Sequence, residues 1–184
     1  MSQSELLIHT IKALAGSGHE YMLTGSLVSS IQGEPRATHD IDLIVVATPK
    51  GIEAFLAEFP NEDYFYDPEA AKEAVSHGGM FNILSMTGDK VDIWALTNSA
   101  FDQARFARKQ TVKLFGLSVF VSSPEDTVLM KLLWSKKCGG SEKQLFDAAR
   151  VYSLQQDTLD KAYLEEWVDK LKLEDQLASM ARFL

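Results

Sequence analysis

Two aspartates, Asp40 and Asp42, stand one residue apart at the start of an apolar run, "LIVV", that reads as a buried β-strand. Residues i and i+2 of a strand project to the same side, so this strand presents both carboxylates together. Close like charges repel each other unless a positive group or open solvent relieves them. Because Mg²⁺ prefers hard oxygen ligands and typically takes one or two protein carboxylates, the pair suits a divalent-cation site. The alternative is a strand end exposed to water, where two aspartates need no partner.

A Gly-Ser turn precedes the acid pair along the chain. Gly25 and Ser26 follow the apolar stretch "YML" and open a predicted short helix, and thirteen residues separate Ser26 from Asp40. A helix N-terminus carries unpaired N–H groups and partial positive charge, glycine lets the backbone approach a ligand, and serine adds a hydroxyl. We therefore expect this turn to hold the phosphate tail of a nucleoside triphosphate, with the acid pair on the next strand.

The order of these residues resembles a known signature. "LTGS", a gap of thirteen residues and "DIDLIV" look like the motif of the DNA polymerase β nucleotidyltransferase superfamily. The resemblance implies that the Gly-Ser turn binds nucleotide phosphate, that both acids ligate Mg²⁺ or Mn²⁺, and that a third acid on a later strand completes the set. It also implies an α/β fold, with a nucleotidyltransferase-type mixed β-sheet flanked by helices and a helical C-terminal part.

The third acid is predicted to be Asp92, in the strand pattern "KVDIWAL". Asp92 alternates with Val91 and Ile93, so it lies on the strand face opposite those apolar residues, where a carboxylate beside the acid pair is needed. Asp89 is an alternative, but it falls on the predicted turn before this strand, where aspartate commonly makes local hydrogen bonds. A hairpin-edge aspartate without a metal is the other interpretation of Asp92.

The C-terminal third carries a second resemblance. "SPEDTVLMKLLW", "GGSEKQLFDAARVY" and "LDKAYLEEWVDKL" are similar to the helical part of AbiEii-like and related uncharacterised bacterial nucleotidyltransferases. The resemblance implies that Lys131 and Asp147 belong to the active site, with Lys131 neutralising phosphate charge and Asp147 binding substrate. Lys131 is alternatively a lysine whose stem packs on the core while its ammonium reaches the surface. Asp147 is alternatively a helix-surface aspartate paired with Lys143 or Arg150.

Alternating helix and strand patterns supply the elements that must position these residues. Helices are predicted for residues 3–16, 26–33, 49–59, 67–79 and 99–108, and strands for 20–24, 40–46, 80–86 and 90–96. The segment 111–122 is predicted as one more strand or a bent pair. From residue 123 onward every pattern is helical. We therefore expect a nucleotidyltransferase α/β core in residues 1–122 and a helical part packed on it in residues 123–184.

Composition limits the possible classes of protein. The 184 residues, 46% hydrophobic and 24% charged, suit one soluble globular domain. A net charge of -8 argues against a protein that coats nucleic acid nonspecifically. Cys138 has no second cysteine with which to pair. The sequence lacks a signal pattern and an apolar run near the ~20 residues of a membrane span, so we expect a cytoplasmic protein without a membrane partner.

These patterns predict a metal-dependent nucleotidyltransferase that moves a nucleoside monophosphate from a nucleoside triphosphate to an acceptor hydroxyl. The sequence does not distinguish among tRNA, a protein and a small molecule as the acceptor. One alternative is a non-catalytic module of the same fold that binds a nucleotide or a protein. Another is the toxin component of a toxin–antitoxin pair, held in check by an antitoxin-like partner.

Overall fold

A mixed β-sheet of seven strands and nine α-helices make up residues 2–184, which are the residues that the computed structural model describes. The strands are β1 (Glu20–Thr24), β2 (Asp40–Val46), β3 (Tyr64–Phe65), β4 (Met80–Ser85), β5 (Lys90–Ala95), β6 (Gln110–Leu114) and β7 (Leu117–Val121). The helices are α1 (Gln3–Gly16), α2 (Gly25–Gln32), α3 (Pro49–Leu56), α4 (Pro68–His77), α5 (Ala100–Ala107), α6 (Pro124–Lys137), α7 (Glu142–Gln155), α8 (Lys161–Leu171) and α9 (Glu174–Met180), followed by a short 3₁₀ helix, Ala181–Phe183. The predicted α/β class with a mixed sheet is confirmed.

Helix starts follow the capping residues that the sequence offers. Ser2 caps α1 through a capping box, in which its hydroxyl accepts from the Glu5 N–H and the Glu5 carboxylate accepts from the Ser2 N–H. Thr48 and Ser123 cap α3 and α6, and each precedes a proline whose fixed φ suits the first helical position. None of the helices within residues 2–184 is both long and apolar enough to cross a membrane.

Strand β2 lies in the middle of the sheet, whose strand order is β3-β4-β5-β2-β1-β7-β6. It pairs antiparallel with β1 and parallel with β5. The predicted hairpin of β4 and β5 is present, and the segment 111–122 resolves into the antiparallel pair of β6 and β7. The acids of β2 and β5 therefore lie on neighbouring strands.

One face of β2 and β5 is anchored by apolar side chains. Ile41 and Leu43 on β2 are fully buried, as are their register partners Val91 and Ile93 on β5. Burying each such side chain stabilises the fold by about 1.5–3 kcal/mol. Because side chains alternate along a strand, this burial directs the aspartates between them to the opposite face.

The chain forms two compact units. The sheet unit contains the chain up to Ser26 and Thr38–Val121, and the helical unit contains Leu27–Ala37 and Ser122–Leu184. All seven strands described above belong to the sheet unit. The sequence-based division into residues 1–122 and 123–184 stays a prediction.

Candidate active site

The three predicted acids share one face of the sheet. Asp42 lies directly opposite Asp92 in the parallel register of β2 and β5, and Asp40 lies opposite Lys90. Cross-strand partners point to the same side of a sheet, and so do residues two apart on one strand. Asp40 is exposed, Asp42 is half-buried and Asp92 is only 8% exposed. The structure therefore brings together on one face the three carboxylates that the sequence predicted as a set.

Asp92 carries the most deeply buried carboxylate of this face. Its Oδ2 accepts a hydrogen bond from Lys90 Nζ at 2.8 Å. Its Oδ1 is buried and has no hydrogen-bond partner within residues 2–184. An unsatisfied buried carboxylate oxygen costs about 1–3 kcal/mol or more, so a partner for Oδ1 would be stabilising. This orphaned acceptor suits a cation or a hydroxyl proton as its partner.

Lys90 is the cation within this acid group. Its ammonium lies 2.8 Å from Asp92 Oδ2 and 3.6 Å from Asp40 Oδ1. The hydrogen bond to Asp92 raises the pKa of Lys90, and the charges of Asp92 and Asp40 add to this effect despite partial burial. Lys90 is not among the site residues that the sequence predicted. The signal was available, because a lysine two residues before Asp92 projects to the same face of a strand.

Gly25 makes room for Asp42. Its backbone has a φ of +71°, and a Cβ built on it would lie 2.0 Å from Asp42 Oδ2 and 2.5 Å from Asp42 Cγ. No side chain fits at these distances, and the left-handed backbone conformation is itself costly for any residue with a Cβ. Glycine at position 25 is thus required by the place that the Asp42 carboxylate takes, in addition to the ligand approach inferred from the sequence.

Ser26 and Asp89 take different places. Ser26 is half-buried in the first turn of α2, directly after Gly25. Asp89 lies in the turn between β4 and β5, where its N–H donates to Ser85 Oγ at 3.1 Å and its carbonyl accepts from the Ser85 N–H at 2.8 Å. Asp89 therefore lies on the turn, as the sequence indicated for this alternative to Asp92, and these two bonds are made by its backbone.

Asp40, Asp42 and Asp92 offer the carboxylate oxygens that a divalent cation prefers. Within residues 2–184, no three His, Cys, Asp or Glu side chains are arranged closely enough to hold a metal ion. The Lys90 ammonium lies within 3.6 Å of carboxylate oxygens of both Asp40 and Asp92. The donor set nevertheless fits, since three carboxylates on one face include a buried oxygen without a partner. The residue types, rather than the present positions of the side chains, therefore fit Mg²⁺ or Mn²⁺.

Residues of β4 and β3 lie next to the acids on the same face of the sheet. Asn82 on β4 is the antiparallel partner of Asp92, and Leu84 is the partner of Lys90. Phe65 on β3 pairs in turn with Leu84. Phe65 is 75% exposed and Leu84 is 40% exposed. The acid face is therefore bordered on the β4 side by an amide and by two exposed apolar side chains.

A separate cleft of ≈ 440 Å³ lies at the other ends of β2 and β5. Val45 and Val46 of β2 and Ala95 of β5 line it, together with Phe106 of α5 and Lys109. The predicted site acids do not line this cleft. The cleft and the acid face are therefore distinct features of the sheet unit.

Lys131 and Asp147 meet in the helical unit. Lys131 Nζ donates to Asp147 Oδ2 at 2.8 Å, and each side chain is only 5% exposed. Arg36 donates two hydrogen bonds to the same carboxylate, from Nε to Oδ1 at 3.0 Å and from Nη2 to Oδ2 at 2.8 Å. The alternative of a lysine whose ammonium reaches the surface is therefore wrong, because the ammonium is buried together with the Asp147 carboxylate. The suggested pairing of Asp147 along its own helix is replaced by these two partners, while Arg150 contacts Glu34.

This cluster has two cations and one carboxylate. Burial raises the pKa of Asp147, but the hydrogen bonds and charges of Arg36 and Lys131 outweigh burial, so the pKa lies below the ordinary aspartate value. Arg36 was missed in the sequence because Asp147 follows it by 111 positions, which no local pattern reveals. Its bidentate geometry is the strong form of an arginine–carboxylate pair.

Known proteins match this chain in structure but not in sequence. No protein-family profile matches the chain, and no curated protein matches it in sequence. The structure of ANT(2″)-Ia in complex with adenylyl-2″-tobramycin is similar with a TM-score of 0.61 and 14% identity, covering 92% of this chain and 97% of that one.

Two other solved structures give the same result. The lincomycin-bound lincosamide antibiotic adenylyltransferase LnuA has a TM-score of 0.55 and 14% identity, over 80% of this chain and 95% of that chain. An antigenic nucleotidyltransferase-like protein from Paracoccidioides brasiliensis has a TM-score of 0.54 and 17% identity, over 96% of this chain and 91% of that chain. The nearer resemblance to AbiEii-like proteins stays a prediction. At these identities the likeness concerns the fold, and this chain has the fold of the nucleotidyltransferases.

Proposed function

We propose that this protein is a metal-dependent nucleotidyltransferase, which transfers a nucleoside monophosphate from a nucleoside triphosphate to an acceptor hydroxyl and releases pyrophosphate. The observation that carries the proposal is the register of β2 and β5, with Asp42 opposite Asp92 and Asp40 on the same face. The steric fit of Gly25 against Asp42 supports it, because the Gly-Ser turn and the acids then act as one constellation. The nucleotidyltransferase fold adds further support.

Each residue of the sheet unit has a distinct proposed role. Asp40 and Asp42 hold Mg²⁺ or Mn²⁺, and Asp92 is either a third ligand or the base that accepts the proton of the acceptor hydroxyl. When bound, the cation supplies positive charge to the phosphate oxygens. Ser26 and the N–H groups of the first turn of α2 bind the phosphate tail, and Gly25 lets that tail approach the backbone. Catalysis then consists mainly of positioning and electrostatic stabilisation.

Lys131 and Asp147 keep, in this proposal, the roles that the resemblance of the C-terminal third implies. Lys131 neutralises phosphate charge, and Asp147 serves substrate binding by holding Lys131 and Arg36 in place. The support is the charge of the cluster, because two cations against one carboxylate leave one net positive charge. This role accords with the resemblance of the C-terminal third to AbiEii-like nucleotidyltransferases.

The acceptor is proposed to approach from the β4 side of the acid face. Its hydroxyl has to come within hydrogen-bond reach of Asp92, whose neighbour on that side is Asn82. The exposed Leu84 and Phe65 favour an acceptor with an apolar or planar body next to the hydroxyl. Because two fold neighbours were solved with an antibiotic or its adenylylated form, small hydroxylated molecules belong in the search beside tRNA and protein.

Label transfer tests the proposed reaction. The purified protein is incubated with each of the four α-³²P nucleoside triphosphates, Mg²⁺ or Mn²⁺, and a cell lysate separated into small molecules, RNA and protein. We expect one triphosphate to label one fraction. The Asp42→Asn variant should lose at least about two orders of magnitude of this transfer, because a ligand of the reacting centre is removed. Equal labelling by both proteins would exclude the acids from catalysis.

A non-catalytic nucleotide-binding module is the second candidate. The observation in its favour is the Lys90 ammonium between Asp40 and Asp92, which gives these acids a structural counter-charge. The same assay separates the two functions. A melting temperature that rises with a triphosphate, without label transfer to any fraction, would support the module. Growth arrest on expression, relieved by a specific partner, would instead indicate the toxin of an antitoxin-like pair.

A further inference from the structure

The position of Lys90 follows from the pairing of three strands. It is the first residue of β5, directly beside Asp40 of β2 and two residues before Asp92. On its other side, its antiparallel partner on β4 is the apolar Leu84. Its acidic register partner, Asp40, therefore lies on the β2 side. The ammonium contacts the carboxylates of Asp40 and Asp92.

The oxygens that Lys90 contacts belong to the predicted metal ligands. Asp92 Oδ2 accepts from Nζ at 2.8 Å, a distance typical of a charge-assisted hydrogen bond. Asp40 Oδ1 is 3.6 Å from the same ammonium. A divalent cation that draws both carboxylates to a common centre has to compete with this ammonium, because like charges at such separations repel.

We propose that Lys90 is an exchangeable internal counter-ion, which a divalent cation displaces when it binds to Asp40 and Asp92. This inference rests on the proposed function, since it takes these acids as metal ligands. Without metal, the lysine offsets one of the three negative charges of the acid face, and it raises the concentration of divalent cation at which the site fills. The side chain is 34% exposed and ends a flexible four-carbon stem, so it is able to move aside without unfolding β5.

Removal of the ammonium tests the proposal on the purified full-length protein, with Mn²⁺ alone as the probe. We expect the Lys90→Met variant to bind Mn²⁺ about three- to tenfold more tightly than the wild type, measured by electron paramagnetic resonance and calorimetry. Lys90→Gln should show the same gain, because it keeps a hydrogen-bond donor for Asp92 and loses only the charge. Lys90→Arg keeps the charge and should not tighten binding.

Stability provides a second readout that needs no activity. Without metal, the melting temperature of Lys90→Met should fall below that of the wild type, because the acids lose their counter-ion. Saturating Mn²⁺ should then raise the melting temperature more in the variant than in the wild type, as tighter binding to the folded state requires. Lys113→Met is the matched control, since Lys113 contacts Ser118 Oγ at 2.8 Å in the β6–β7 hairpin. It should leave Mn²⁺ affinity unchanged.

The results that would contradict the counter-ion proposal alone differ from those that would also contradict the proposed function. Mn²⁺ binding of equal or lower affinity in Lys90→Met and Lys90→Gln, with clear binding by the wild type, would overturn the counter-ion proposal and leave the proposed function standing. An equal gain in Lys113→Met would also overturn it, because the effect would then come from net charge alone. No Mn²⁺ binding by the wild type or by any Lys90 variant would overturn both the counter-ion proposal and the metal-dependent function.

Discussion

The Asp42 carboxylate takes space that a side chain at position 25 would fill. A Cβ on Gly25 would lie 2.0 Å from Asp42 Oδ2, inside any real contact distance. The acid pair therefore depends on a glycine from a different element, at the start of α2. Lys90 has a comparable influence through charge, since it contacts two of the acids. Neither residue is itself acidic, yet Gly25 leaves space for the Asp42 carboxylate and Lys90 binds that of Asp92.

The Gly25→Ala substitution tests this steric dependence. Forcing alanine into the left-handed region costs about 1–2 kcal/mol, and the clash with Asp42 adds to this cost. We expect a loss of unfolding free energy by urea denaturation and at least a tenfold loss of Mn²⁺ affinity, because the carboxylate is displaced.

Gly18→Ala is the matched control for that substitution. Gly18 has a φ of +73°, close to the +71° of Gly25, and a Cβ there would meet nothing within 4 Å. In this variant the unfolding free energy should fall only by the cost of the left-handed backbone conformation. Its Mn²⁺ affinity should be unchanged. If the two variants lose equal free energy and both retain Mn²⁺ binding, the steric link between Gly25 and Asp42 is wrong.

Secondary-structure elements were more predictable than the contacts between them. Local signals such as Ser123 followed by Pro124 indicated helix starts. An apolar run indicated β2, and the alternation around Asp92 indicated β5. The strand order joins segments far apart in sequence, and no local pattern encodes it. The ion pair of Arg36 with Asp147 was hidden for the same reason. Lys90 was predictable from strand spacing, whereas the contact of Gly25 with Asp42 required coordinates.

The ion pair between α6 and α7 leads to a prediction about stability. Removing one partner of a buried pair costs about 3–5 kcal/mol when the other charge is left alone. Lys131→Met leaves Asp147 with Arg36, so we expect a loss below that range, whereas Asp147→Asn removes the carboxylate from both cations and should cost more. In a double-mutant cycle by urea unfolding, the coupling between these positions should exceed about 1 kcal/mol. Additive losses would show that the pair contributes little.

The lowered pKa of Asp147 gives this cluster a dependence on pH. A carboxyl whose pKa is lower in the folded state than in the unfolded chain stabilises the fold above the unfolded pKa, about 4, and loses that contribution as the pH falls through the folded pKa. The unfolding free energy of the wild type should therefore fall more steeply below about pH 4 than that of Asp147→Asn. Parallel curves for the two proteins between about pH 5 and pH 2 would contradict this role of Asp147.

The whole molecule combines an acid face in the sheet unit with a cationic cluster in the helical unit, on a chain of net charge -8. The acid face repels a polyanion unless a cation accompanies it. A nucleoside triphosphate that arrives with Mg²⁺ or Mn²⁺ meets this condition. The charge distribution thus favours a metal–nucleotide complex over a free nucleotide as the ligand.

Crystals grown with Mn²⁺ and a nucleoside triphosphate test the role of the three acids most directly. We predict an anomalous scattering peak within about 2.5 Å of carboxylate oxygens of Asp40 and Asp42, with Asp92 beside it and phosphate density over the first turn of α2. The Lys90 ammonium should have left Asp92 Oδ2. A peak elsewhere, or no peak with Lys90 still 2.8 Å from Asp92 Oδ2 as in the present structure, would contradict the proposed metal site.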